Sequence, residues 1–358
     1  MRNILTSIAI ALGSAILAYA PLPGLQQTIT IVSGSELEEP LKILEQAFEA
    51  KHPDIKLEIK IQGSQEIINR VVDKKNDFNP TVLIPANGEL LTELQQRLGA
   101  DAFYEPPQPV AQTLLVAIAW FDRGQVLFPN DRFNWRLIER AMQNNNWFAI
   151  GGNRDWGSFD FLTTDPSRSN SGQLTLALWA QNHLGGLDPG RLSSPRSEAL
   201  FSLIKRSVYQ PPRSTDILLQ EFISRGPNDA DVATVYESIA LYRWQQASQG
   251  KGIPYKIYYP NPTIATISTA GILRENVSGG QAQAAKKFVQ FLREPQQQGI
   301  FAQYGFRSID SNFDLKSVAN SPWNQNIPGA SLTISSQIIP QPDRQTLTEI
   351  IRQWERSK

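Results

Sequence analysis

Thr28-Ile29-Thr30-Ile31-Val32-Ser33-Gly34-Ser35 opens the part of the chain whose reading decides the fold. Its first five residues are β-branched and make a strand, which Ser-Gly-Ser breaks. In residues 36–51, Leu37, Leu41, Leu44 and Phe48 recur at helical spacing. Glu36, Glu38 and Glu39 crowd the first turn, where the helix dipole favours negative charge. His52-Pro53 stops this helix. Ile55-Lys56-Leu57-Glu58-Ile59-Lys60-Ile61 alternates apolar and charged residues, the pattern of a half-buried strand. Gln62-Gly63-Ser64 ends it, and residues 65–77 read as a second helix. Pro80-Thr81-Val82-Leu83-Ile84-Pro85 is a third short strand, and residues 89–98 are a third helix.

Strand, small polar loop, helix, repeated, is the grammar of an open α/β sheet with parallel strands. Such sheets bind ligands at the carboxyl ends of their strands. Ser33-Gly34-Ser35 and Gln62-Gly63-Ser64 lie there. Each offers hydroxyls and helix N-terminal amides to one crevice, which suits an anion without any cationic side chain. The competing role for each loop is simply to cap its helix.

Pro106-Pro107-Gln108-Pro109 interrupts the pattern, and residues 110–120 form an apolar run suited to crossing from one lobe to another. The grammar then repeats. Residues 159–163 are a strand, 164–172 a polar loop, and 173–184 a helix closed by Gly185-Gly186. Residues 231–236 are another strand, and 255–273 read as a second crossing, back to the first lobe. Residues 282–292 form a helix with Ala285, Phe288, Val289 and Leu292 on its buried side. Residues 310–341 are irregular, and 342–355 read as a last amphipathic helix.

Composition narrows the function. The 358 residues carry 34 Lys+Arg against 34 Asp+Glu, two His and no Cys. Zero net charge argues against a nucleic-acid binder. The lack of Cys removes disulfides, thiol nucleophiles and Cys-based metal sites, and His52 and His183 leave little for a His-rich centre. No cofactor is expected. Ser202-Leu203-Ile204-Lys205 fits a Ser-x-x-Lys pattern, but no Lys-Thr-Gly or Ser-Asp-Asn accompanies it. Without Gly-x-Ser-x-Gly, a P-loop or His-Glu-x-x-His, the chain reads as no enzyme.

Arg2 precedes an uncharged run from position 4 to 20 that ends Ala18-Tyr19-Ala20, the small-x-small form of an export-signal cleavage site. Pro21, directly after it, disfavours the cut. Residues 1–20 are thus a signal peptide or an uncleaved signal anchor, and both place the protein in the periplasm or cell envelope. With no Cys there is no lipid anchor. A mature chain starting near Gln26 would mark a free protein, and an intact Met1 a tethered one.

Four further stretches carry a family resemblance. Asp165-Pro166-Ser167-Arg168-Ser169-Asn170-Ser171-Gly172, Asp229-Ala230-Asp231-Val232-Ala233-Thr234-Val235-Tyr236, Ala285-Lys286-Lys287-Phe288-Val289-Gln290-Phe291-Leu292, and Tyr304-Gly305-Phe306-Arg307 follow Ser33-Gly34-Ser35 in the order seen in type II periplasmic solute-binding proteins. The chain resembles the molybdate- and sulfate-binding branch, and the solute-binding-like domains found with von Willebrand factor A modules.

The resemblance implies two α/β lobes, each an open mixed sheet flanked by helices, joined by two crossing strands, with hinge closure on a ligand. Residues 28–112 plus 265–358 would form lobe 1, and 113–264 lobe 2. It implies ligand contacts from Ser33, Gly34, Ser35 and Ser64 in lobe 1, and from Ser169, Asn170, Ser171, Thr215 and Tyr236 in lobe 2. The second-lobe loop departs from the molybdate pattern: Ser-Arg-Ser-Asn-Ser stands where Pro-Ala is usual, so Arg168 adds a cation and Asn170 an amide. Glu237, next to Tyr236, would repel an anion if it faced the cleft. The function implied is a monomeric, exported binder of a small solute, an oxyanion by its site chemistry, that serves an ABC-type permease. An envelope-anchored sensor or interaction module on the same fold is the alternative.

Overall fold

β1 (Gln27–Ser33) lies between β2 (Ile55–Ile61) and β3 (Val82–Ile84), both parallel to it. Ile29 and Ile31 face one side of this sheet and Val32 the other, and all three are buried. Strands covered on both faces carry near-continuous apolar runs. The structure is a computed structural model that describes residues 26–208, 210–251 and 254–357. The export signal at residues 1–20 lies outside them. Among the described residues no helix is long and apolar enough to cross a membrane.

Nine strands, among the described residues, make one curled mixed sheet in the order β2-β1-β3-β8-β4-β6-β5. β4 (Gln108–Trp120) and β8 (Thr263–Ile272) are the two crossing strands. They pair antiparallel from Gln108 to Leu114. β4 then runs on into the second lobe, where it pairs with β6 (Val232–Tyr236) and β7 (Tyr255–Tyr258). β5 (Phe161–Leu162) lies parallel to β6 at the far edge, and β9 (Ile338–Ile339) parallel to β8. The expected second crossing, 255–273, is thus two strands. Pro262, which has no N–H for the ladder, sits in the break.

The helices of the first lobe are α1 (Glu38–Lys51), α2 (Ser64–Val72) and α3 (Glu89–Leu98). Those that follow β4 are α4 (Phe121–Leu127), α5 (Trp135–Asn144), α6 (Asn170–Leu184), α7 (Pro189–Leu192), α8 (Pro195–Ser207), α9 (Thr215–Arg225) and α10 (Glu237–Lys251). The chain ends with α11 (Gly279–Leu292), α12 (Pro295–Gln303) and α13 (Arg344–Arg356). α2 ends five residues before the expected 77, because Asp73 ends the helix and Lys74 turns left-handed at φ 53°.

Leu41, Leu44 and Phe48 of α1 pack with Phe288 and Leu292 of α11 under the first sheet, on the face of Ile29 and Ile31. Ile67, Ile68 and Leu94 cover the other face with Val32. The second lobe has the larger core. There Trp120 stacks on Phe222 at 4.9 Å, and Trp135 on Trp179 at 4.8 Å.

α13 lies within 265–358, the run expected to join lobe 1. α13 packs on α6, α7 and α8 of the second lobe through Leu347, Ile350 and Trp354. Arg344, at its start, reaches back to pair with Glu93 of α3 in the first lobe.

Candidate functional site

Register places the first-lobe loops together. Ser33 is level with Ile61 on β2 and with Ile84 on β3, so the segments after these three residues emerge at one edge, the carboxyl end of the parallel strands. In the second lobe, Tyr236 ends β6 and Thr163-Thr164 follow β5, also at the carboxyl end. The two edges face each other.

The lobes touch there. An ideal Cβ on Gly63 would lie 2.6 Å from the Arg168 carbonyl oxygen and 3.2 Å from that of Arg213. Gln173 Nε2 donates to Gln65 Oε1 at 3.1 Å, and Arg168 Nη2 to Glu66 Oε2 at 3.1 Å. Burial raises the Glu66 carboxyl, but hydrogen bonds from Arg168 and Arg70 outweigh it and hold the group below its ordinary value. Between the lobes remains a crevice of about 300 Å³, walled by Ser35, Gln62, Gly63, Arg213, Ser214 and Asp216.

On the second-lobe side, Ser171 Oγ lies 2.8 Å from Thr164 Oγ1, 3.1 Å from Ser169 Oγ and 2.7 Å from Thr215 Oγ1. Each of these links uses one proton, and four hydroxyls supply four. One O–H of the cluster is therefore left to donate outward. Asn170 Nδ2 donates to the Tyr236 hydroxyl at 3.0 Å, and the other end of the Asn170 amide has no partner among the described residues. Burial pushes the Tyr236 hydroxyl well above its ordinary value, so it stays a neutral donor. Gly172 lets the first turn of α6 approach this loop: a Cβ there would lie 2.4 Å from the Thr164 carbonyl oxygen.

Helix starts supply further donors. The first N–H groups of a helix have no acceptor within it. Gly34 and Gly63 precede two such starts and have no side chain to cap them, and neither Ser169 nor Ser214 caps α6 or α9 through its side chain. Elsewhere the starts are mixed: Asn134, Asp188, Ser194, Ser278 and Asp343 cap their helices, whereas Trp120 and Glu294 do not cap α4 and α12 through their side chains.

Of the residues expected to bind, the structure joins Ser169, Asn170, Ser171, Thr215 and Tyr236 in one buried group, with Ser35 in the crevice opposite. Ser64 Oγ accepts the Ala86 N–H at 2.9 Å, which leaves its proton to donate elsewhere. Ser33 and Gly34 are spent inside lobe 1. The Ser33 hydroxyl lies 3.3 Å from the Ile84 carbonyl oxygen, and the Gly34 N–H donates to the same oxygen at 3.0 Å. Asp165 is a turn former: its Oδ1 accepts from the Ser167 N–H and hydroxyl at 2.9 and 2.7 Å.

Glu237 does not threaten an anion. It is wholly buried, but Arg307 grips both its oxygens at 2.8 Å and Tyr259 donates at 2.5 Å. Glu36 is the residue that sequence reasoning missed. It is only 7% exposed, and Oε1 has no partner among the described residues. Burial chiefly, with Asp216 nearby, outweighs its own backbone N–H and pushes its pKa up from 4.5 to about 7.

A larger cavity, about 780 Å³, lies between α2, α3 and α13. Long charged side chains such as Arg97, Arg352 and Glu355 line it, and it reaches Gln65, Ser167 and Gln173 at the contact between the lobes. Among the described residues no cluster of His, Asp or Glu has the makings of a metal site.

Two lobes on crossing strands, meeting at the carboxyl ends of their strands, define a two-lobed periplasmic-type binding protein. The chain belongs to the bacterial extracellular solute-binding protein family, whose pattern matches residues 29–307. It shares the type II periplasmic fold, and the family is one of binding proteins rather than enzymes. No curated protein matches the chain. Among solved structures, the substrate-binding protein of an ABC transporter from Agrobacterium tumefaciens superposes with a TM-score of 0.62 at 14% identity, covering 94% of this chain and 96% of that one. Iron-bound HitA from Pseudomonas aeruginosa gives 0.59 at 15%, covering 92% and 97%. The sulfate-binding protein SubI from Mycobacterium tuberculosis H37Rv gives 0.56 at 18%, covering 80% and 88%. At these identities the likeness is one of fold.

Proposed function

We propose that this protein is an exported solute-binding component that captures a small oxyanion between its lobes by hinge closure and delivers it to an ABC-type permease. Lobe 1 would comprise residues 28–112 and the return from 265, lobe 2 residues 113–264, with α13 riding on lobe 2. The observation that carries the ligand class is the set of helix starts without side-chain caps at Gly34, Gly63, Ser169 and Ser214, beside the Ser171 hydroxyl cluster. Free N–H groups at helix starts favour negative charge, and hydroxyls complete its shell. Arg168, spent on Glu66, would close the cleft rather than hold the ligand. Thermal melting with molybdate, tungstate, sulfate and phosphate, beside sugars and amino acids, tests this. An oxyanion should raise the melting temperature in proportion to the logarithm of its excess over Kd. No shift with any oxyanion at millimolar excess would sink the reading.

A further inference from the structure

Glu36 is a buried carboxyl beside the crevice, next to Ser35 and near Asp216, that the oxyanion reading leaves unused. It sits in the turn after Gly34, folded back so closely that a Cβ on Gly34 would lie 2.2 Å from Oε1. That oxygen has no hydrogen-bond partner among the described residues. The titratable groups set against it are Tyr236 on β6 and Asp216 on α9. Asp216 is itself held by Arg243 at 2.6 and 2.9 Å. Glu38, Glu66, Arg70 and Arg213 stand around the crevice, and both Arg70 and Arg168 are spent on Glu66.

A buried carboxyl oxygen without a partner is costly, and native structures rarely leave one so. The cleft therefore makes two demands. The helix starts and the hydroxyls require acceptor oxygens, and Glu36, once ionised, requires a donor. Sulfate and molybdate are all acceptor and would set an oxygen against the carboxylate. Hydrogen phosphate has the same tetrahedral shape and the same double charge, but keeps one O–H.

We infer that Glu36 is the specificity-determining residue of the cleft: it accepts a hydrogen bond from the solute, which selects a free oxyanion retaining an O–H, of the hydrogen-phosphate kind, over sulfate and molybdate. This rests on the oxyanion reading above. A phosphate monoester, doubly ionised well above its second pKa of about 6, has lost that O–H and is disfavoured too.

Calorimetric titration of the exported protein at about pH 8.5, above the Glu36 pKa of about 7, tests it. The probes are inorganic phosphate, sulfate, molybdate and glycerol phosphate at matched ionic strength. Phosphate should bind roughly 100-fold tighter than sulfate, the scale set by one unpaired buried polar contact to a charged group. Glu36→Gln should bring the two within roughly tenfold, since an amide both donates and accepts. The wild-type protein gives a second readout. Lowering the pH to about 6 protonates Glu36, lets it donate, and should tighten sulfate roughly tenfold. Sulfate, molybdate or the monoester binding as tightly as phosphate would overturn the assignment, as would an unchanged ratio in Glu36→Gln or sulfate affinity that is flat with pH. Binding without preference removes only the role of Glu36. Failure of every oxyanion to bind removes the oxyanion reading with it.

Discussion

Arg168 of the second lobe donates to Glu66 of the first across 3.1 Å, beside Gly63, whose missing side chain lets the lobes meet. Charge alone does not close the cleft. Arg168 is 43% exposed, and exposed pairs contribute little. The contact that decides is steric. Gly63→Ala would push a methyl group to 2.6 Å from the Arg168 carbonyl oxygen, backbone that cannot swing aside. The variant should fold normally, hold its lobes further apart by small-angle X-ray scattering, and bind solute roughly 10- to 100-fold more weakly. A scattering profile and affinity equal to wild type would show that closure does not depend on this approach.

Arg307 tests the crossing region. It comes from the loop after α12, pairs with β4 through Gln112, and meets Glu237 at the start of α10. Removing one partner of a buried pair strands the other, at a cost of about 3–5 kcal/mol. Arg307→Ala should therefore lower stability to denaturant by about that amount. Adding Glu237→Gln to it should recover part of the loss, because the stranded charge is gone. A loss in Arg307→Ala within ordinary surface-mutation scatter would contradict this picture.

Glu36 gives the ligand-free protein a pH dependence whose sign can be worked out. Its folded-state pKa, about 7, lies above the ordinary 4.5. The stability held by the neutral form is complete below about 4.5 and is lost as the pH rises through about 7. Glu36→Gln should match wild type at about pH 4 and exceed it by up to about 3 kcal/mol at about pH 8. Equal stability at both pH values would mean that the carboxyl is solvated or paired in solution.

Much of the fold was legible because periodicity reports burial. The alternation in 55–61 and the spacing of Leu41, Leu44 and Phe48 reflect faces that are buried. What periodicity does not report is the partner. The amphipathic pattern of the last helix shows that one face is covered, not that α6 and α8 cover it. Arg307 and Glu237 lie 70 residues apart, and no local pattern joins them. Glu36 was read as a first-turn acid serving the dipole. Residues 35–37 instead form a 3₁₀ turn before α1, and three residues per turn rather than 3.6 change the face a side chain takes. The hydroxyls at 169–171 were legible as a polar loop before a helix. Thr164 was not, since its role depends on β5 ending beside α6.

The central claim is that an oxyanion binds between the lobes on hydroxyls and helix starts. Calorimetric titration with the oxyanion panel, on wild type and on Ser35→Ala combined with Ser171→Ala, tests it most directly, because the pair removes one hydroxyl from each lobe. The expected result is saturable binding of an oxyanion to wild type, and a loss of roughly 100-fold or more in the double variant at an unchanged fold by circular dichroism. Equal affinity in the double variant, or no oxyanion binding to wild type, would contradict the account.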